Sequence, residues 1–456
     1  MEAIEEINSV INGIVWGPPF MILLIGTGLF LTVRLGFFQF THLVDAWNQT
    51  FGQFLARSAT AEEQGTITSF QAVSSAMAGT IGVGNIAGVS TALALGGPGA
   101  VFWMWMSGLV GMATKFGEAA LGVRYREIDA SGNVSGGVMY YIEKGLGSRW
   151  RWLAVLYALL AGLAAFGIGN MVQANTVAQE LNLRLGVPTW ATGIAIVILV
   201  GAVTLGGITR IASTAEKIVP FMAILYVAGS LIILLLNLPQ IPGAIASIFA
   251  NAFSTDSITG ATVGLAIRYG IARGIFSNEA GLGAASIVHA QARNTPARQG
   301  MWGMWEVFID TIIVCSMTAL VILVTNTLPT GATGAELAST AFDAGIPAGG
   351  FLVMIGLILF AYTTMLTWNF YGEKSWEYVF GRAVVVPYRF LFLAFLFIGA
   401  IGGLVLIWDV ADTLNGLMAA PNLIALLLLS KPLVWEKNRY LRGGTSEEVA
   451  DPVGDV

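Results

Sequence analysis

Two stretches of this sequence place glycine and polar residues in the middle of apolar runs. The first is Ala78-Gly79-Thr80-Ile81-Gly82-Val83-Gly84-Asn85. The second is Gly274-Ile275-Phe276-Ser277-Asn278-Glu279-Ala280-Gly281-Leu282-Gly283. Glycine lowers the cost of leaving helical dihedrals, so each stretch is a place for a helix to break. In a lipid environment the freed backbone groups cannot face hydrocarbon, so a break must line a protein cavity. There the broken ends become ligands. N–H groups at the positive end of a half-helix attract a carboxylate, and exposed carbonyls attract an ammonium group or Na⁺. An amino acid carries both charges and suits such a pair of ends. Taken singly, Gly84-x-x-x-Gly88 and Gly281-x-Gly283 also fit close helix packing. Their coincidence in two separate apolar runs favours the ligand reading.

Other chemistries have little to work with. The chain holds two histidines, His42 and His289, and one cysteine, Cys315. A histidine-based metal centre or a nucleophile–base pair is not expected from that inventory. A lone cysteine allows no intramolecular disulfide. The formal net charge is −5, the wrong sign for a nucleic-acid footprint, and no nucleotide-binding motif is present.

The elements that must carry these stretches are membrane helices. The 456 residues are 56% hydrophobic and only 11% charged, less than half the roughly 25% charge typical of soluble domains. Mean hydropathy is +0.75. Apolar runs of spanning length are expected near 17–35, here called the pre-span, and then as spans 1 to 10 near 67–95, 97–122, 151–178, 188–207, 216–237, 261–289, 301–325, 348–373, 388–407 and 409–430. The start, MEAIEEINSV, has three Glu and no basic region, unlike a secretory signal.

Charge sets the expected orientation. Counting gaps between spans, 18 of the 22 Lys and Arg fall on one side, Arg184 alone on the other, and Lys115, Arg268 and Arg273 inside spans. The positive-inside rule then puts the N-terminus outside and the C-terminus in the cytoplasm, with eleven helices in a plasma (inner) membrane. Spans 1–5 and 6–10 each cover about 170 residues. Five is odd, so the second block enters the membrane inverted, a pattern of secondary transporters. The expected divisions are 1–60, an N-terminal helix and cytoplasmic linker; 61–237, the first five-helix repeat; 238–430, an outer loop and the second repeat; and 431–456, a cytoplasmic tail.

The strings AMAGTIGVGNIAG (76–88), GGPGAVFWMW (96–105), GNMVQAN (169–175) and ARGIFSNEAGLGAA (272–285) strongly resemble the alanine or glycine:cation symporter family, over essentially the whole chain. The family is similar in architecture to the leucine-transporter fold of the amino acid–polyamine–cation superfamily. The resemblance implies an all-α, polytopic 5+5 inverted repeat with one additional N-terminal helix. It also implies uptake of alanine or glycine, in some members D-alanine, coupled to Na⁺ or sometimes H⁺.

Within that frame the candidate substrate ligands are the span-1 backbone at Ile81, Gly82, Val83 and Gly84, for the carboxylate, with the Thr80 hydroxyl beside it. Thr80 bonding back to its own helix is the alternative. Phe276 and Ser277 offer carbonyls to the amine, and Asn278 an amide. Asn278 and Glu279 alternatively cap the restarting half-helix. Asn170 and Gln173 share one face of span 3, and the resemblance makes Gln173 a pocket residue. Thr363 and Thr364 resemble the consecutive hydroxyl pair that completes the Na⁺ site of this fold, with span-1 carbonyls near Ala78 and Ile81. Trp368, one turn beyond Thr364, is expected to wall the pocket and limit side-chain size; an interfacial anchor is the alternative. Asn85 is either a further ligand or a partner of the broken backbone.

Charged residues inside spans are functional candidates. Lys115 and Glu118 are spaced to neutralise each other, Glu306 and Asp310 share a face of span 7, and an ion pair is the expected role of Arg268 and Arg273. A cation-coupled symporter competes here with a proton-coupled or uncoupled amino-acid facilitator, a passive channel and a membrane-embedded enzyme. The last lacks a catalytic cluster, and a channel lacks a reason for two matched helix breaks. The expected partners are a small amino acid, Na⁺ as the co-transported ion and the lipid bilayer, with no nucleic acid.

Overall fold

The computed structural model describes residues 2–55, 64–130, 132–253, 263–402 and 405–443. Among the described residues the elements are helices, apart from one antiparallel pair of strands, Glu127–Ile128 with Val134–Ser135, in the gap between spans 2 and 3. Among the described residues seven helices are long and apolar enough to cross a membrane, or eight if Ser69–Thr80 and Gly84–Gly96, bent by 49°, form one span. Helices also stand at the remaining expected positions: Gly99–Arg124, which carries Lys115 and Glu118, the short apolar Thr189–Thr204, and Val263–Asn278. The outer helices present large apolar side chains outward, among them Ile198, Phe221, Ile224 and Phe390, as a lipid-facing surface must. The helix of span 5 runs Gly207–Leu236, starting nine residues before its expected position at 216.

Before the pre-span helix Pro18–Arg34 lies a further helix, Glu2–Val15. It packs on Val405–Leu428, where the Asn12 amide donates to Thr413 Oγ1 at 3.0 Å and the Trp16 indole to the Asp412 carbonyl at 3.3 Å.

Spans 1 and 6 form the centre. The first starts at a capping box, with Gln71 N–H donating to Thr68 Oγ1 and Thr68 N–H to Gln71 Oε1, both at 3.1 Å. It stops at Thr80, where Ile81 turns extended (φ −74°, ψ 90°), and resumes through a π-helical turn, Gly84–Gly88. Span 6 stops at Asn278. Glu279, Gly281 and Gly283 then take φ of 56°, 98° and 81° before the short helix Ala285–His289. Left-handed backbone at two of those positions explains why glycine stands there. Two more π-helical turns lie nearby: Phe308–Cys315 in span 7 packs on spans 1 and 6, and Gly167–Met171 in span 3 packs on span 8. Span 8 is one continuous helix, Gly349–Phe380.

The segment entering span 1 is joined to the one leaving span 6. Ile67 and Ala292 form a parallel bridge. Thr66 and Ile67 N–H donate to the Gln291 carbonyl at 2.8 and 3.1 Å, and Arg293 N–H donates to the Ile67 carbonyl at 2.8 Å.

Candidate functional site

The two breaks touch. A Cβ added to Gly84 would lie 3.0 Å from Phe276 Cδ1 and 3.4 Å from Ser277 Cα, tight enough that a larger residue would press on span 6. A Cβ added to Gly82 would lie 2.7 Å from Thr364 Oγ1 and 3.6 Å from Gln173 Oε1. Spans 3 and 8 thus deliver Gln173 and Thr364 to one point of the span-1 break. Gly82 N–H donates to Asn85 Oδ1 at 2.9 Å, and Val83 N–H to Gln173 Oε1 at 3.4 Å. Two of the N–H groups expected to hold a carboxylate therefore meet side-chain amide oxygens, acceptors of the same sp² kind. Gln173 itself donates to the Ile168 carbonyl at 2.9 Å, and Asn170 to that of Phe392 at 2.8 Å.

The hydroxyls of Thr80, Thr363 and Thr364 bond back to their own helices. Thr80 donates to the Ala76 and Met77 carbonyls at 3.3 and 3.4 Å, and Thr364 to Phe360 at 2.9 Å. Thr363 donates to Leu359 and Phe360, both at 3.1 Å, and lies against Met222 of span 5. A hydroxyl that commits its proton this way keeps lone pairs, which are what a hard cation takes. Ala78 and Ile81 are fully buried beside Thr364's neighbour Gly82. Thr363 thus faces span 5, whereas Thr364 faces the break.

Trp368 is buried on span 3: a Cβ on Gly169 would overlap it at 2.1 Å. Its indole donates to Glu279 Oε1 at 2.9 Å. Asn278 turns from the span-1 break. Its amide donates to Thr311 Oγ1 at 3.0 Å, and its oxygen accepts from Ala280 N–H at 2.9 Å, inside the break; the restarting helix Ala285–His289 has no side-chain cap.

Three acids matter more than their spacing suggests. Glu118 Oε1 accepts from Gly281 and Gly283 N–H, at 2.8 and 3.1 Å, and from the Asn422 amide at 2.7 Å. It therefore supplies the acceptor for the broken span-6 backbone. Lys115 does not turn to Glu118 as its hydrogen-bonded partner; it pairs with Glu306 at 3.1 Å, and Glu306 meets His289 at 2.9 Å. Asp310 accepts from Asn85 Nδ2 at 2.7 Å, from Ser277 Oγ at 3.0 and 3.1 Å, and from Thr311 Oγ1 at 2.8 Å, which links both breaks. The sequence signal for these roles is the placing of ionisable groups in spans, which marks importance without naming partners.

A cavity of about 400 Å³ reaches the breaks, lined there by Val83, Gly84, Arg273, Phe276 and Trp408. Phe276 and Trp408 stack with centroids 6.5 Å apart. Arg273 lies over Phe276 and pairs with Asp412 at 3.6 Å, the ion-pair role expected of it. Arg268 lies over Tyr269.

Residues 1–453 match the model of the sodium:alanine symporter family. The sodium/alanine symporter AgcS of Methanococcus maripaludis is 47% identical, over 96% of this chain and 98% of that protein. The putative sodium/proton-dependent alanine carrier protein YrbD of Bacillus subtilis is 37% identical, over 98% and 94%. Among solved structures, that of MhsT in complex with L-phenylalanine superposes with a TM-score of 0.58 at 14% identity, covering 85% of this chain and 100% of that one, a likeness of fold.

Proposed function

Because the chain belongs to the sodium:alanine symporter family, we propose that it imports alanine and glycine, with D-alanine in its range, by sodium-coupled alternating access. The observation that carries this reading is the meeting of the two breaks. Gly84 lies against Phe276 and Ser277, and Gln173 and Thr364 converge on Gly82. Alanine's carboxylate takes the Gly82–Gly84 backbone, its ammonium group faces span 6 at Phe276 and Ser277, and Trp368 limits its side chain. Na⁺ sits between the Ala78 and Ile81 carbonyls and Thr364, with Thr363 contributing after rotation from Met222. The eleven helices form two inverted five-helix repeats, 61–237 and 238–430, behind an N-terminal segment (1–60) and before a cytoplasmic tail (431–456).

The test is uptake of labelled alanine into proteoliposomes under an imposed Na⁺ gradient. Concentrative uptake that collapses when the Na⁺ gradient is dissipated is the expected result, and Thr364→Ala should raise the Na⁺ concentration for half-maximal uptake. Accumulation driven only by a proton gradient, or equilibration without accumulation, would replace this reading by the proton-coupled or facilitator one.

A further inference from the structure

Three buried carboxylates surround one buried ammonium group. Lys115 pairs with Glu306, and Glu118 and Glu279 are within its electrostatic reach. Glu306 has His289 as well, and Glu118 has two backbone N–H groups and Asn422. Glu279 is less well provided. Its Oε1 accepts a single bond, from the Trp368 indole, against three on Glu118 Oε1, and its Oε2, like Glu118 Oε2, is buried with no hydrogen-bond partner among the described residues. A carboxylate in a low-dielectric interior is costly unless a cation or enough donors meet it. Each bare buried polar atom needs a reason.

The location supplies one. Glu279 is the first residue beyond helix Val263–Asn278 and is held in left-handed backbone, φ 56°. Such strain persists where the surroundings fix it, commonly at functional sites. Trp368, its partner, follows Thr364 by one helical turn, and Gly169, on which Trp368 lies, precedes Gln173 by one turn. Thr364 and Gln173 both converge on Gly82. Through Trp368 the Glu279 carboxylate is thus tied to the two helices that bring Thr364 and Gln173 to the span-1 break, on the side of Gln173 away from Gln179 and Glu180, which line the cavity. A small zwitterion whose carboxylate rests on the Gly82–Gly84 backbone turns its positive end to span 6, whose Phe276 and Ser277 lie against Gly84 and whose break begins at Glu279.

We propose that Glu279 binds the ammonium group of the transported amino acid through Oε2, with Trp368 fixing the carboxylate through Oε1. This rests on the amino-acid symporter reading and adds to it a charged anchor. The site then demands an ammonium group as well as a carboxylate, so a hydroxy acid of equal size is rejected. Lactate, which carries a hydroxyl in place of the ammonium group of alanine, is the probe.

The experiment measures equilibrium binding of labelled alanine to the purified full chain in Na⁺, with displacement by unlabelled alanine and by lactate. Glu279→Gln keeps an acceptor for the indole and removes the charge. It should weaken alanine by roughly 10- to 100-fold, the loss typical of a hydrogen bond to a charged group, while lactate changes little, so the preference for alanine collapses. Glu279→Asp should retain much of the preference. A purely structural role would weaken both ligands in parallel. A parallel loss, or a preference in Glu279→Gln equal to wild type, would overturn the anchor. If Glu279→Gln does not yield monodisperse protein, Glu279→Asp decides alone: loss of alanine binding without loss of preference counts against the anchor. Failure of the wild-type chain to take up alanine with Na⁺ would sink the symport reading instead, and that outcome is separate because the displacement measurement needs binding only.

Discussion

At Trp368 the side chain fills space that span 3 has cleared for it with Gly169, and its one polar atom is engaged by Glu279. An interfacial anchor would need its ring at the membrane edge; this ring is 1% exposed in the protein interior. Backbone groups grip every amino acid alike, so discrimination falls to whatever meets the substrate's side chain. Overfilling a packed site costs about 1–3 kcal/mol, a factor of roughly 5 to 150 in affinity. Trp368→Ala should therefore let Leu or Val compete with labelled alanine. Continued exclusion of both, with alanine affinity unchanged, would place the ring outside the pocket. The substitution also removes about 3–5 kcal/mol of packing, so it is best read in a variant shown to remain folded.

The span-6 break depends on a residue from another helix. Glu118 gathers three donors, Gly281 N–H, Gly283 N–H and the Asn422 amide, on one oxygen. Tyr141 donates to the other end of the same Asn422 amide. Removing that acceptor leaves buried donors bare, at about 1–3 kcal/mol each. Glu118→Ala should lower the thermal midpoint of the purified protein sharply, and Glu118→Gln, which keeps an acceptor oxygen, much less. Equal midpoints for wild type and Glu118→Ala would show that the break is held otherwise. Glu118 also marks the point where sequence stops being informative. The breaks are legible because glycine and polar residues are costly inside an apolar run and seldom stand there without a ligand or a freed backbone to serve. So are most helix positions, because lipid imposes length and apolarity: Pro18–Arg34 matches the run at 17–35, and Gly99–Arg124 the run at 97–122. Partners are not legible. The i, i+3 spacing of Lys115 and Glu118 places them on one face, yet the neighbouring helices decide what each meets, and they give Lys115 to Glu306 and Glu118 to backbone. Thr363 and Thr364, adjacent in sequence, face different neighbours, because successive residues point about 100° apart around a helix. Glu279 reads as a cap from its position alone, since nothing in the sequence tells that one of its oxygens stays unpaired.

For the whole molecule, the proposed orientation can be checked cheaply. Cys315 is buried, and it is the chain's one cysteine, so a thiol placed elsewhere gives a clean signal. Arg442 is exposed at the end of the helix Ser430–Leu441. Arg442→Cys should react with a membrane-impermeant reagent in inside-out vesicles and resist it in intact cells; labelling in intact cells would reverse the topology. A last consequence comes from the bridge between Ile67 and Ala292. Three backbone hydrogen bonds there fasten the beginning of one broken helix to the end of the other. The two helices are yoked at that end, so they cannot part there without undoing the bonds. In the proposed alternating access the pair would then move as a single piece against the surrounding helices. On the proposed symport reading such a yoke would resist slippage, since a passenger held by one helix could not leave while the other stayed behind, the mechanical condition for two solutes to move in fixed proportion.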